Sequence, residues 1–119
     1  MRAKPRRNQL RLRFYIGAAL KDAAPEYLTS QNILDKLRDF DQSRSALRAS
    51  TTCNSISNLL RGCGGIERDY IRQSDHAKQG LVSKFRMNDW EAYRDWLGLA
   101  ETKWRQVENL FQDARKVGE

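Results

Sequence analysis

Some kinds of chemistry are nearly absent from this chain of 119 residues. It has one histidine, His76, two prolines and two cysteines. Zinc sites want about four N or S ligands at recurring spacings, and Cys53, Cys63 and His76 do not supply them. Two cysteines make no disulfide framework. If a helix runs between Cys53 and Cys63, its ten residues span about 15 Å, too far for a bridge. A pair of small buried thiols is therefore expected. Gly62-Cys63-Gly64-Gly65 is glycine-rich, but no Lys-Ser/Thr pair follows it, so it is not a P-loop. The acidic residues show no paired-carboxylate spacing, and nothing places His76 beside a nucleophile. No run approaches the ~18–20 apolar residues of a membrane span, and Met1–Arg13 lacks the apolar core of a secretory signal. These absences predict a non-enzyme with no metal, no cofactor, no readable small-molecule ligand and no membrane partner. Its expected location is cytoplasmic.

Positive charge is abundant and unevenly placed. The formal net charge is +7. Residues 1–13 hold six basic and no acidic side chains, whereas residues 89–119 hold five basic and seven acidic ones. Residues 41–65 and 66–88 each carry a net +2. A basic excess confined to certain segments points to a polyanion; the blander alternative is solubility alone.

The stretch Ser50–Met87 organises the chain. Cys53, Ile56, Leu60 and Cys63 are 3, 4 and 3 residues apart, the spacing of one buried helical stripe. Ser50 or Thr51 is suited to cap that helix, and Gly62, Gly64 and Gly65 end it. The opposite face carries Thr51, Thr52, Asn54, Ser55, Asn58 and Arg61. None is acidic, and all can hydrogen-bond base edges or phosphates. Residues 66–73 are rich in β-formers, and Leu81, Ser83, Phe85 and Met87 alternate with Val82, Lys84 and Arg86 at the period of a half-buried strand. The link 74–80 is polar and carries His76 and Lys78.

On these residues the chain resembles the winged helix-turn-helix DNA-binding family, of prokaryotic or archaeal regulator type. The resemblance covers about residues 10–88. It is carried by Ser57-Asn58-Leu59-Leu60-Arg61, then Gly64-Gly65-Ile66-Glu67-Arg68, then Leu81-Val82-Ser83-Lys84-Phe85-Arg86. It implies a mainly α fold with a small β-hairpin (α+β), three core helices and a wing, and a third helix, about 51–61, in the major groove. Arg61 and Asn58 would then read bases, while Thr51, Thr52, Asn54 and Ser55 would contact bases or phosphates. In the wing, Lys78, Lys84 and Arg86 would meet the backbone, Lys78 first because it sits in the loop.

The remaining segments fit around that unit. Residues 1–9 read as a flexible basic arm in which Arg2, Lys4, Arg6 and Arg7 can reach phosphates or a minor groove; the alternative is a solvated tail. Leu12, Ile16, Ala19, Leu20 and Ala23 predict a first helix over 10–23, stopped at Ala24-Pro25. Tyr27-Leu28 is expected to add a short strand to the wing sheet, as the resemblance implies. Thr29-Ser30 should cap a second helix over 31–40, buried through Ile33, Leu34, Leu37 and Phe40. The link 41–49 is long for a helix-turn-helix, and a helical turn around 43–48 would tuck Ala46 and Leu47 inward.

After Asn88 the pattern changes. Trp90, Tyr93, Leu97, Ala100, Trp104, Val107, Phe111 and Ala114 follow at steps of 3 and 4, a heptad seam. The expectation is one long C-terminal helix over 89–119 that pairs with its copy through Trp90, Tyr93, Leu97, Trp104, Val107 and Phe111. The alternative is that it folds back on the first helix, and Gly98 offers a break, since glycine costs about 1 kcal/mol inside a helix. The expected protein is a homodimer that binds double-stranded DNA, a nucleoid-associated transcriptional regulator. Sequence-neutral architectural binding and a protein–protein module are the competing readings.

Overall fold

The computed structural model describes residues 10–72, 81–98, 105 and 110–112. Helix α1 spans Leu10–Ala23, the bounds the apolar stripe predicts. Its buried side, Leu12, Tyr15, Ile16, Ala19 and Leu20, is the centre of the core. Strand β1 is Leu28–Thr29, and α2 follows at once as Ser30–Arg38. Thr29 closes a reciprocal cap: its hydroxyl accepts from the Asn32 N–H, and the Asn32 side chain accepts from the Thr29 N–H, both at 3.1 Å. Two orphan donors are thereby satisfied at the helix start. Ile33, Leu34 and Leu37 turn the inner face of α2 into the core.

The long link contains a short helix, α3, Asp41–Arg44. Its anchor is polar. Ser43 is fully buried, and its hydroxyl donates to the Leu37 carbonyl at 2.6 Å. A buried hydroxyl is tolerated only with such a partner. Ala46 and Leu47 pack half-buried against the core, as the link's composition suggests. Helix α4 is Cys53–Leu59, shorter at both ends than the expected 51–61.

Strands β2, Ile66–Arg72, and β3, Leu81–Met87, form the hairpin. The antiparallel sheet has the order β1-β3-β2, with Leu28 opposite Phe85 and Ile66 opposite Met87. Phe85 and Met87 are buried beneath the sheet. By the two-residue period, Lys84 and Arg86 occupy its other face. Gly65 fixes the hairpin base. Its φ of +79° suits a residue without Cβ, and its carbonyl accepts from the Asn88 and Asp89 N–H groups at 2.8 and 3.0 Å.

Helix α5, Trp90–Leu97, is capped by the Asp89 side chain, which accepts from the Ala92 N–H at 3.1 Å. It stops at Gly98, whose φ is +72°. The single helix expected over 89–119 is therefore corrected: it is interrupted at Gly98, where a left-handed residue cannot continue the spiral. Arg105 and residues 110–112 are helical again. The described seam residues are not presented on a free surface. Tyr93, Leu97 and Phe111 are buried in the core of the same chain. Phe111 meets Phe40 edge-on with ring centroids 5.1 Å apart, and the Lys36 ammonium lies 5.2 Å from its centre. Trp90 is half-buried and packs against the same core. Trp104 and Val107 lie outside the described residues. Sinking a side chain such as Tyr93 or Phe111 removes apolar area worth about 1.5–3 kcal/mol, so the packing of these residues supports the fold-back alternative.

Candidate nucleic-acid interface

Helix α4 is held from three sides, which leaves one face to solvent. Ile56 and Leu60 are buried beneath it. The Ser57 hydroxyl meets Ser30 on α2 at 2.5 Å, and the Cys53 thiol donates to the Gln31 side-chain carbonyl at 3.0 Å. From α1, the Arg13 guanidinium donates to the Leu59 carbonyl at 3.0 Å, where a cation complements the helix C-terminus. The outward face exposes Asn54 and Asn58, with Arg61 exposed just past the helix end and Thr52 exposed at its start. No acidic residue lies on it, and Arg61 has no ion-pair partner among the described residues.

Three expected contact residues have local duties. The cap of α4 is Thr52, not Ser50 or Thr51. Its hydroxyl accepts from the Ser55 N–H at 3.3 Å, and the Ser55 hydroxyl accepts from the Thr52 N–H at 3.2 Å. Thr51 accepts from the Arg48 N–H at 2.9 Å. Ser55 and Thr51 are half-buried, and the Thr52 hydroxyl is committed to the cap, so the free face is Asn54, Asn58 and Arg61.

Two of the hairpin's cations are matched by acids across the strands. Lys84 lies 3.9 Å from Asp69, and Arg86 pairs with Glu67. Both cations also cover the Tyr27 ring, at 4.4 and 4.7 Å from its centre. Partial desolvation, then the hydrogen bond to Glu67, raises the Tyr27 pKa. The same carboxylate bond raises that of Arg86. This sheet face is thus a laced, nearly neutral surface in which acid and base alternate by register. On the other face Arg68 donates to the Ser83 hydroxyl at 2.9 Å and stacks 5.2 Å from the centre of Tyr70. Tyr70 is 51% exposed. Arg68 has no acidic partner among the described residues, and sequence reasoning missed it. The signal was present, because Arg68 and Tyr70 share the two-residue register of Ile66. Lys78 and the arm residues Arg2, Lys4, Arg6 and Arg7 lie outside the described residues, as does His76.

Comparison with known proteins assigns no family. No family model, curated protein or solved structure matches the chain. Among the described residues, no group of three or more His, Cys, Asp or Glu side chains is placed to hold a metal ion, and no helix is long and apolar enough to cross a membrane. Cys53 and Cys63 are not in a disulfide, and the second is buried with its sulfur donating to the Leu59 carbonyl at 3.1 Å.

Proposed function

We propose that the chain is a winged helix-turn-helix protein that binds double-stranded DNA and regulates transcription, with α4 as the element that enters the major groove. The observation that carries this reading is the exposed α4 face: Asn54 and Asn58, with Arg61 just past the helix end, no acidic residue along the segment, and the helix fixed by α1 and α2. Asn and Arg are the side chains that pair two-pronged with adenine and guanine edges. The order helix, strand, two helices, a helix and then a hairpin supports it too, with β1 paired to the second hairpin strand. In this reading Arg61 and Asn58 read bases, and Lys78, with the arm cations Arg2, Lys4, Arg6 and Arg7, meets phosphates. Lys84 and Arg86 hold the hairpin against their carboxylate partners and Tyr27, and contribute little to the backbone contact. The C-terminal segment serves its own domain through Tyr93 and Phe111, so one chain would occupy one half-site.

The test is a duplex titration of the full chain at several salt concentrations, with random and selected DNA. The expected result is binding that weakens linearly on a log–log salt plot, with selected duplexes preferred. Equal affinity for all duplexes would assign the chain to sequence-neutral architectural binding. No binding at low salt would sink the reading and leave the protein–protein module.

A further inference from the structure

A cleft of about 290 Å³ opens between the start of α1 and the segment leading into α4. Two arginines, Arg11 and Arg48, line it together with the hydroxyl-bearing Ser45, Ser50 and Thr51, and no acidic residue does. Neither arginine has an ion-pair partner among the described residues. Arg11 instead donates to the Ser45 hydroxyl at 2.6 Å and lies 5.9 Å from the centre of the Tyr15 ring. The Ser50 side chain makes no hydrogen bond among the described residues. Leu12 and Leu47 add an apolar wall, which excludes water from one side and strengthens charge-assisted bonds on the other.

The Ser45 hydroxyl already donates to the Gln42 carbonyl at 2.6 Å, so the donors left to an occupant are the two guanidiniums and the hydroxyls of Ser50 and Thr51, in an acid-free lining. We infer that this cleft binds a phosphate group, carried by a small phosphorylated molecule or by a nucleic-acid backbone. A planar guanidinium fork suits both phosphate and carboxylate. The number of donors favours phosphate, because three terminal oxygens use more of them than two. Ser55, which closes the cap of α4, also lines the cleft, so an occupant touches the segment that starts the exposed helix. The inference stands on the cleft alone; only its backbone arm rests on the function proposed above.

The experiment follows the amide spectrum of the full chain at constant ionic strength, first with inorganic phosphate and then with a nucleoside monophosphate. Saturable shifts at Arg48, Ser50 and Thr51 are expected, with acetate giving none. Arg11→Gln and Arg48→Gln, with spectra otherwise unchanged, should each weaken binding roughly tenfold or more, the size of a lost charged hydrogen bond. A short duplex is then added. If it moves the same amides and the monophosphate displaces it, the phosphate comes from a backbone. If it leaves those amides untouched, the site serves a small molecule. Either outcome upholds a phosphate site. Shifts that do not saturate, an equal response to acetate, or unchanged affinity in both variants would overturn it. A duplex that fails to bind anywhere speaks only against the function proposed above, since the phosphate titration contains no DNA.

Discussion

The Tyr93 ring fills the space that a side chain at Gly17 would need: a Cβ there would lie 2.4 Å from the ring edge. The ring's hydroxyl then donates to the Arg13 carbonyl one helical turn earlier, at 2.7 Å. Glycine in α1 is thus the seat of α5. Two effects oppose each other in Gly17→Ala. Helix propensity would favour alanine by about 1 kcal/mol, whereas overpacking a filled core costs about 1–3 kcal/mol. The ring is held at both ends, so the second effect should win. A lower urea midpoint with an unchanged slope is expected. A stabilised variant would mean that α5 does not dock on α1.

Tyr93 also gives the fold an alkaline limit. Burial pushes its hydroxyl pKa well above the ordinary tyrosine value, with the neighbouring Cys63 raising it further. The folded state therefore keeps the proton while the unfolded chain releases it near pH ~10. The unfolded state then binds fewer protons, so stability is full below pH ~10 and falls as pH rises above it, by about 1.4 kcal/mol per pH unit for this group. Tyr93→Phe should cost about 1 kcal/mol at neutral pH through the lost hydrogen bond and should flatten the alkaline arm. Chemical denaturation of both proteins from neutral to alkaline pH checks this, and parallel curves would remove Tyr93 as the cause.

The elements that local rules govern were legible. The α1 stripe and its Ala24-Pro25 stop set both helix ends, and the alternation from Leu81 to Met87 gave β3. Other features depend on long-range choices. Ser50, Thr51 and Thr52 are equally good capping residues, and the choice of Thr52 goes with Cys53 meeting Gln31, 22 residues away. The pairing of Glu67 with Arg86 and of Asp69 with Lys84 exists only in one hairpin register. Charge counting along the chain therefore gives the net charge of the hairpin but not which of its cations are matched by acids. The seam after Asn88 shows the same limit. Periodicity tells which residues want cover, not what covers them.

The exposed face of α4 should dominate duplex affinity. Arg61→Ala removes an unpaired guanidinium from that face and should weaken binding by about 1–3 kcal/mol, the size of one two-pronged base contact. Arg86→Ala deletes a cation already matched by Glu67 and should change affinity much less. Lys78→Ala should reduce the salt slope by about one unit. Fluorescence anisotropy across salt concentrations separates these cases. An Arg86 effect larger than that of Arg61 would move the interface from the helix to the sheet.

Capping links that face to stability. Thr52 holds both halves of the cap with Ser55, and Thr52→Ala should cost about 1 kcal/mol. Thr51→Ala should cost less, because its hydroxyl serves a single loop N–H. Since α4 has only 7 residues, fraying its first turn disturbs Asn54 directly. Thr52→Ala should therefore lower duplex affinity by more than the loss of one hydroxyl contact, and Thr52→Ser should restore most of it. Equal affinities for the alanine and serine variants would separate the cap from binding.

Oligomeric state is the sharpest consequence of the core. A paired heptad seam needs Tyr93, Leu97 and Phe111 at a surface between chains, yet each is at most 5% exposed within one. Pulling Phe111 away from Phe40 would open a cavity and cost about 3–5 kcal/mol by analogy with Phe→Ala changes. A dimer built on these residues would have to recover that before gaining anything. Light scattering should accordingly return the mass of a single chain over a wide concentration range, and Phe111→Ala should lower stability without changing that mass. A two-chain mass that drops to one chain in Phe111→Ala, with the fold intact, would show that the seam leaves its own core to pair with a second copy.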